Sequence, residues 1–247
     1  MSDAHVEVAN IFCRHADQYC QQFPISPEQR KVLNLIKICR TAALGGHLDR
    51  CEHCGYEKPA YNSCRNRHCP KCQTVAKEKW LDARRAELLP CGYFHLVFTL
   101  PHDLNPIILD NKEKLLGLLF STVNHVLQSF ARDPQWRLVG KIGYLAVLHT
   151  WSQTLLDHFH LHCLVPAGVL SFNEQSWVKA RKTYLFRIQS LAKAMRRHYI
   201  QQLTRLYQDG QLHFAGKTQE LASPAGFGQL VRALNQKKWI VYAKRPF

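Results

Sequence analysis

The chain has 247 residues, of which 46% are hydrophobic, so it can form one large or two ordinary domains around an apolar core. No window approaches 18 unbroken apolar residues, which excludes a membrane-spanning helix, and residues 1–7 lack the features of a secretory signal. The net charge is +15, and residues 175–247 alone carry 14 basic and 2 acidic side chains. We therefore expect a cytoplasmic protein with a polyanionic partner, best matched by nucleic acid; a solvated basic helix face is the alternative.

The first third of the chain reads as a small helical unit. A weak helical pattern covers residues 4–22, and Ser26-Pro27-Glu28-Gln29 predicts a helix start with Ser as N-cap, Pro at N1 and Gln at N3. Gly45-Gly46 predicts the end of that helix. A charged helix is expected over residues 73–89, and Pro90 ends it. We place a domain boundary there, giving a DNA-recognition domain at 1–89 and a second domain at 90–247.

Eight of the ten cysteines precede residue 73, and in an intracellular chain crowded cysteines indicate metal rather than disulfides. The core pattern is C-x2-C-x14-C-x2-C, whose soft thiolates select zinc. The safest ligand set for one structural zinc ion is Cys51, Cys54, Cys69 and Cys72. Four further ligands make a second zinc site possible: Cys39, His47, Cys64 and His68. Coincidental free thiols are the alternative.

Basic side chains that could contact DNA phosphates lie in two places. Arg65, Arg67 and Lys71 surround the second cysteine pair, and solvent-exposed charge without a partner is their alternative. A long basic helix is predicted over residues 185–208. Its expected phosphate contacts include Arg187, Lys193, Arg196 and Arg197.

The second domain is predicted to alternate strands and helices. The strands are expected at residues 93–100, 142–151, 159–166 and 238–243. The helices are expected at residues 105–131, with a break near residue 110, at 185–208 and at 223–235. This order is a split βαβ plan, an antiparallel sheet with helices on one face. The fold class is therefore α+β, with a small helical zinc-binding domain before the sheet domain.

One predicted strand carries three alternating histidines. Because strand side chains alternate between faces, His158, His160 and His162 project from one face, and Phe159 and Leu161 from the other. Imidazoles at positions i and i+2 on a rigid strand can share one metal ion. An ordinary strand with polar residues outward is the alternative. We expect this strand to be central, with its histidines opposite the helices or at a helix edge.

Two sequence blocks resemble rolling-circle insertion-sequence transposases of the two-tyrosine, His-hydrophobic-His (HUH) family. The block from Arg40 to Cys72, with its Y-N-S-C-R-N-R-H-C-P-K-C run, is similar to the zinc-binding domain of that family. The block Leu148-His-Thr-Trp-Ser-Gln, followed by His160-Leu-His162, is similar to its HUH motif. The resemblance implies a single-strand DNA endonuclease and transferase that acts at transposon ends and associates with the nucleoid when bound to DNA.

In such enzymes two histidines and a third polar ligand hold a divalent ion, magnesium or manganese, against the scissile phosphate. We assign the two histidine roles to His160 and His162. The third ligand is left open among His158, Gln153 and His149, in decreasing order of proximity along the chain. A satisfied surface histidine is the alternative role for His158.

A nucleophilic tyrosine is implied as well, in a Y-x3-Y pair after the fourth strand. No Y-x3-Y pair occurs in these 247 residues, so the chain is expected to stop before its catalytic helix. The alternative function is therefore a zinc-dependent DNA-binding protein that does not cleave, a truncated or regulatory relative. The oligomeric state is left open.

Overall fold

The computed structural model describes residues 6–180 and 184–247, which divide into two compact units between Leu88 and Leu89. The helices are α1 (Val8–Gln22), α2 (Pro27–Lys37), α3 (Pro70–Ala86), α4 (Asn105–Asp110), α5 (Lys112–Phe130), α6 (Ile188–Gln208) and α7 (Pro224–Gln236). The strands are β1 (Gly46–Arg50), β2 (Glu57–Tyr61), β3 (Tyr93–Thr99), β4 (Leu145–Trp151), β5 (Asp157–Pro166), β6 (Gly168–Leu170), β7 (Trp177–Lys179) and β8 (Ile240–Lys244). None of the helices in the described ranges is long and apolar enough to cross a bilayer.

The smaller unit consists of three helices and one hairpin. Its best-defined helix start is that of α2, where the Ser26 hydroxyl accepts from the backbone N–H of Gln29 and the Gln29 side chain accepts from the backbone N–H of Ser26. This is the capping box that the sequence predicts. A small core packs Ile36 against Cys39 and Cys69. So few buried apolar side chains give this unit little stability of its own, which is the usual condition of a metal-stabilised domain.

The larger unit is an antiparallel sheet with the strand order β4-β5-β3-β8. The connection from β3 to β4 runs through α4 and α5, and that from β5 to β8 runs through α6 and α7. The α+β class and the split βαβ plan are confirmed. The break near residue 110 is also confirmed, because α4 ends at Asp110 and α5 begins at Lys112.

The period-2 alternation of β3 and β5 decides which face is buried. Phe94, Leu96 and Phe98 of β3 are fully buried, as are Leu161 and Cys163 of β5. They share one core with apolar residues of all four helices of this unit. The opposite face of the sheet carries the histidines, and β5 is a central strand, as the sequence indicates.

Two small hairpins were not predicted from the sequence. The β1–β2 hairpin is almost wholly exposed and shows no apolar alternation, and β6–β7 has strands of only three residues. Helix α3 also begins earlier than the expected residue 73. Pro70 occupies its first turn directly after Cys69, a position at which proline favours a helix start.

Candidate metal centres

Three histidines meet on the open face of the larger sheet. His149 of β4 lies directly opposite His160 of β5, and His162 follows two residues later on the same face. One ring nitrogen of each lies within 4.8 Å of the others. Small side-chain rotations would therefore bring all three imidazoles onto one divalent ion.

Neighbouring groups fix which ring nitrogens are free to bind that ion. Nδ1 of His160 donates to the backbone carbonyl of His158 at 2.8 Å, so the lone pair of His160 is on Nε2. Nδ1 of His162 lies 2.7 Å from Nε2 of His95, a residue of β3 on the same face. Nε2 of His162 is buried without a hydrogen-bond partner among the described residues. A buried polar atom of this kind is costly unless a ligand uses it.

Burial keeps His149 and His162 neutral. Desolvation, and then the proximity of His149, His160 and His95, lowers the pKa of His162 to about 4. Desolvation followed by His160 and His95 also lowers the pKa of His149. Only a neutral imidazole has a lone pair for a metal, so these ligands are available at physiological pH.

The histidines open into a cavity of about 640 Å³. Its lining comprises His149, Trp151, Ser152, Gln153, Thr154, His158, His160 and His162. Trp151 is 52% exposed and stacks on His149 with ring centroids 5.5 Å apart. The cavity therefore offers imidazole nitrogens together with an accessible aromatic face, a combination suited to a nucleotide strand.

The structure changes the expected order of the third ligand. His158 was the first candidate, but it lies outside the three-histidine group, and its Nδ1 pairs with Nε2 of His102 at 2.7 Å. Gln153 lines the cavity from the turn between β4 and β5. His149, the last candidate, joins the group because paired residues on adjacent strands lie closer than residues i and i+2 on one strand. Sequence proximity misses such cross-strand pairs.

The second centre is a cluster of four thiols in the smaller unit. Cys39, Cys64, Cys69 and Cys72 present sulfur atoms within 4.8 Å of one another. Sγ of Cys72 lies 3.6 Å from that of Cys39 and 3.5 Å from that of Cys64. Zn–S bonds of about 2.3 Å in a tetrahedron separate sulfur atoms by roughly 3.8 Å. The cluster therefore fits one zinc ion with closed coordination.

The structure regroups the zinc ligands that the sequence proposed. Cys69 and Cys72 group with Cys39 and Cys64, not with Cys51, because the chain returns to the end of α2 after the β1–β2 hairpin. Cys51 and Cys54 are both exposed at the turn of that hairpin.

The two histidines of the possible second zinc site lie apart from the thiol cluster. His47 contacts the carboxylate of Asp49 at 3.3 Å, and His68 accepts a hydrogen bond from the side chain of Arg67. The described residues therefore do not bring Cys39, His47, Cys64 and His68 together as a second four-ligand site.

The predicted DNA-contacting residues differ in exposure and in whether their charged groups already have a partner in the protein. Arg65 and Arg67 are exposed beside the thiol cluster, whereas Lys71 forms an ion pair with Glu7 at 2.5 Å. On and just before α6, Arg196 donates to the backbone carbonyl of Asn235. The remaining predicted contacts, Arg187, Lys193 and Arg197, are exposed.

Two family models match this chain. One described as "Transposase zinc-binding domain" covers residues 11–100, and one described as "Putative transposase" covers residues 143–247. The chain is 42% identical over its whole length to "Putative transposase y4qJ" of Sinorhizobium fredii (strain NBRC 101917 / NGR234), of which the match covers 62%. It is 31% identical over 53% of its length to "Transposase for insertion sequence element IS801" of Pseudomonas savastanoi pv. phaseolicola, of which the match covers 32%. No solved structure gives a significant match. The chain thus spans less than two thirds of each of these relatives.

Proposed function

The chain belongs to the IS91-type rolling-circle transposases with an N-terminal zinc-binding domain, and from this membership we propose that it binds single-stranded DNA at the ends of an insertion sequence. We propose further that the histidine centre holds a divalent ion against one DNA phosphate. The observation that carries the proposal is the group His149, His160 and His162 with the unpartnered, buried Nε2 of His162.

The donor set favours manganese over magnesium. Three neutral imidazoles supply nitrogen donors and no negative charge, whereas magnesium prefers oxygen ligands in an octahedron. When bound, such an ion polarises a phosphate oxygen and orients the phosphorus for in-line attack. The chain's own contribution is to hold the three nitrogens in place through the β4–β5 pairing and through the hydrogen bonds of His160 and His162.

The DNA strand is proposed to follow exposed basic and aromatic side chains. Arg187, Lys193 and Arg197 provide three exposed charges on and beside α6, and Trp151 lies exposed in the histidine cavity. Phosphate contacts of this kind supply sequence-independent affinity, and an exposed indole can stack on a base.

Strand transfer through a phosphotyrosine is the reaction that we propose for transposases of this family. The attacking hydroxyl would form a bond to phosphorus, and the departing 3′-oxygen of the DNA would take up a proton. Within the described part of this chain, Tyr242 of β8 lies on the histidine face in the same cross-strand row as Val97 and His162, and it is 54% exposed. Its row position is two strands from His162, or roughly 10 Å between the backbones at about 4.8 Å per strand, and among the described residues no hydrogen bond or ring contact joins its phenol to the histidines. We therefore propose that this chain binds DNA and the ion but cleaves poorly.

The metal proposal is tested by isothermal titration with Mn²⁺ after removal of adventitious metal. We expect one site in addition to the bound zinc, lost in His160→Ala and His162→Ala. His125→Ala is the matched control, because His125 is an exposed histidine of α5 outside the cavity. Retention of the manganese site in both cavity variants would refute the proposal.

The same variants separate the leading proposal from the second candidate, a zinc-dependent DNA-binding protein without nuclease chemistry. The thiol cluster and the exposed arginines beside it favour that candidate. It predicts that single-strand binding is unchanged by Mn²⁺ and by both cavity substitutions. The leading proposal predicts tighter binding with Mn²⁺, measured by fluorescence anisotropy, and loss of that gain in His162→Ala. A covalent DNA adduct at normal rates, abolished by Tyr242→Phe, would overturn the proposed lack of cleavage.

A further inference from the structure

The pair Cys51 and Cys54 has no role in either metal centre. Both thiols are exposed at the turn that joins β1 to β2. All five residues of β1 are exposed, as are four of the five in β2. An isolated two-stranded hairpin is only marginally stable in water. We therefore expect a further interaction at the turn, where the two thiols lie, to stabilise this exposed hairpin.

The turn already has the backbone geometry of a metal knuckle. The backbone N–H of Gly55 donates to the carbonyl of Cys51 at 2.9 Å, and the N–H of Cys51 donates to the carbonyl of Tyr56 at 2.9 Å. Gly55 has a φ of +70°, which a residue with a side chain rarely adopts. These two hydrogen bonds and the glycine conformation place both thiols on one tight turn.

The described residues supply only half of a tetrahedral site. The described His, Cys, Asp and Glu residues form two groups of three or more ligands within reach of one ion, and neither includes Cys51 or Cys54. His47 is four residues back along an extended strand, or about 13 Å at roughly 3.3 Å per residue. The imidazole of His47 contacts the carboxylate of Asp49 and not the two thiols.

We propose that Cys51 and Cys54 bind a zinc ion together with the same two cysteines of a second copy of this chain. Four thiolates, two from each hairpin tip, complete a closed tetrahedral site on a two-fold axis. Each thiol releases its proton to solvent when the ion binds.

The surface around the tip allows a second copy to approach. Although the whole chain has a net charge of +15, residues 46–61 carry only two basic and three acidic side chains. Two tips therefore meet with little mutual repulsion. On the same hairpin Leu48 is 57% exposed and Tyr56 is 67% exposed, which gives the pairing apolar area to bury.

Zinc stoichiometry with native mass spectrometry tests the proposal on the 247-residue chain under reducing conditions. One zinc ion in each thiol cluster and one shared ion give a dimer with three zinc ions, or 1.5 per chain. A monomer with two zinc ions would place all ligands in one chain and overturn the sharing. One zinc ion per chain would overturn the site itself.

The double substitution Cys51→Ser and Cys54→Ser is expected to lower the zinc content from 1.5 to 1.0 per chain and to abolish the three-zinc dimer. The matched control is Cys13→Ser with Cys20→Ser, which removes a thiol pair of α1 outside both clusters and should leave the dimer intact. An unchanged zinc content in the first variant would contradict the proposal. The measurement on the unmodified chain decides the matter if the variant does not fold.

Discussion

Replacing His95 with phenylalanine tests whether this residue positions the metal ligand His162. Nε2 of His95 lies 2.7 Å from Nδ1 of His162, and the two rings stack with centroids 5.0 Å apart. Phenylalanine keeps the stacked ring but removes the nitrogen that accepts from Nδ1–H of His162 in the tautomer whose Nε2 is free to bind the ion. His162 is then free to exchange its tautomer, which places a proton on the Nε2 that should bind the ion.

The size of the effect follows from the contact that is lost. A net hydrogen bond contributes about 0.5–1.5 kcal/mol, and loss of a group that orients a metal ligand weakens affinity by roughly 10- to 100-fold. Each tenfold corresponds to about 1.4 kcal/mol, so both estimates meet near a tenfold weaker affinity for Mn²⁺. His95→Gln places an amide oxygen within reach of the same nitrogen and should recover part of that loss.

Titration calorimetry with Mn²⁺ measures both variants, and loss of the free Mn²⁺ signal in electron paramagnetic resonance checks the result. His125→Phe is the control for a generic histidine-to-phenylalanine change. The reasoning is refuted if His95→Phe binds Mn²⁺ within about twofold of the unmodified chain while His162→Ala does not bind it.

Three other outcomes are expected. Cys64→Ser should remove one zinc ion per chain and the cooperative unfolding of the smaller unit, as measured by atomic emission and circular dichroism; retention of that zinc would exclude the four-thiol cluster. In the metal-free protein, the pKa of His162 is about 4 in the folded state and about 6.5, the usual value, in the unfolded state. As the pH falls, the unfolded state therefore binds this proton before the folded state does. The free energy of unfolding should therefore fall as pH drops from about 6.5 towards 4, less steeply in His162→Asn; equal slopes in denaturant titrations would contradict this. Replacing Arg187, Lys193 and Arg197 with alanine should reduce the salt slope of single-strand binding by about 2, at roughly 0.7 per phosphate contact; an unchanged slope would place the DNA elsewhere.

Local patterns were sufficient for the sheet and for placing His160 and His162, two of the three grouped histidines, on one face. The alternation from His158 to Cys163 determines which side chains share a face, because the pleat of a strand has a period of two residues. The helix start at Ser26 and the break after Asp110 also depend on neighbours within four residues. Features of this kind need no knowledge of the rest of the chain.

The amino-acid sequence by itself determined the α+β plan, the histidine strand and the presence of a cysteine-rich zinc domain. Only the tertiary structure selected the partners: His149 through the β4–β5 register, His95 through the β3–β5 register, and Cys39 through the approach of α2 to the start of α3. The physical reason is that each of these contacts joins residues between 11 and 67 positions apart. Strand pairing and packing determine the distance between such residues in space, and this distance cannot be read from their spacing along the chain.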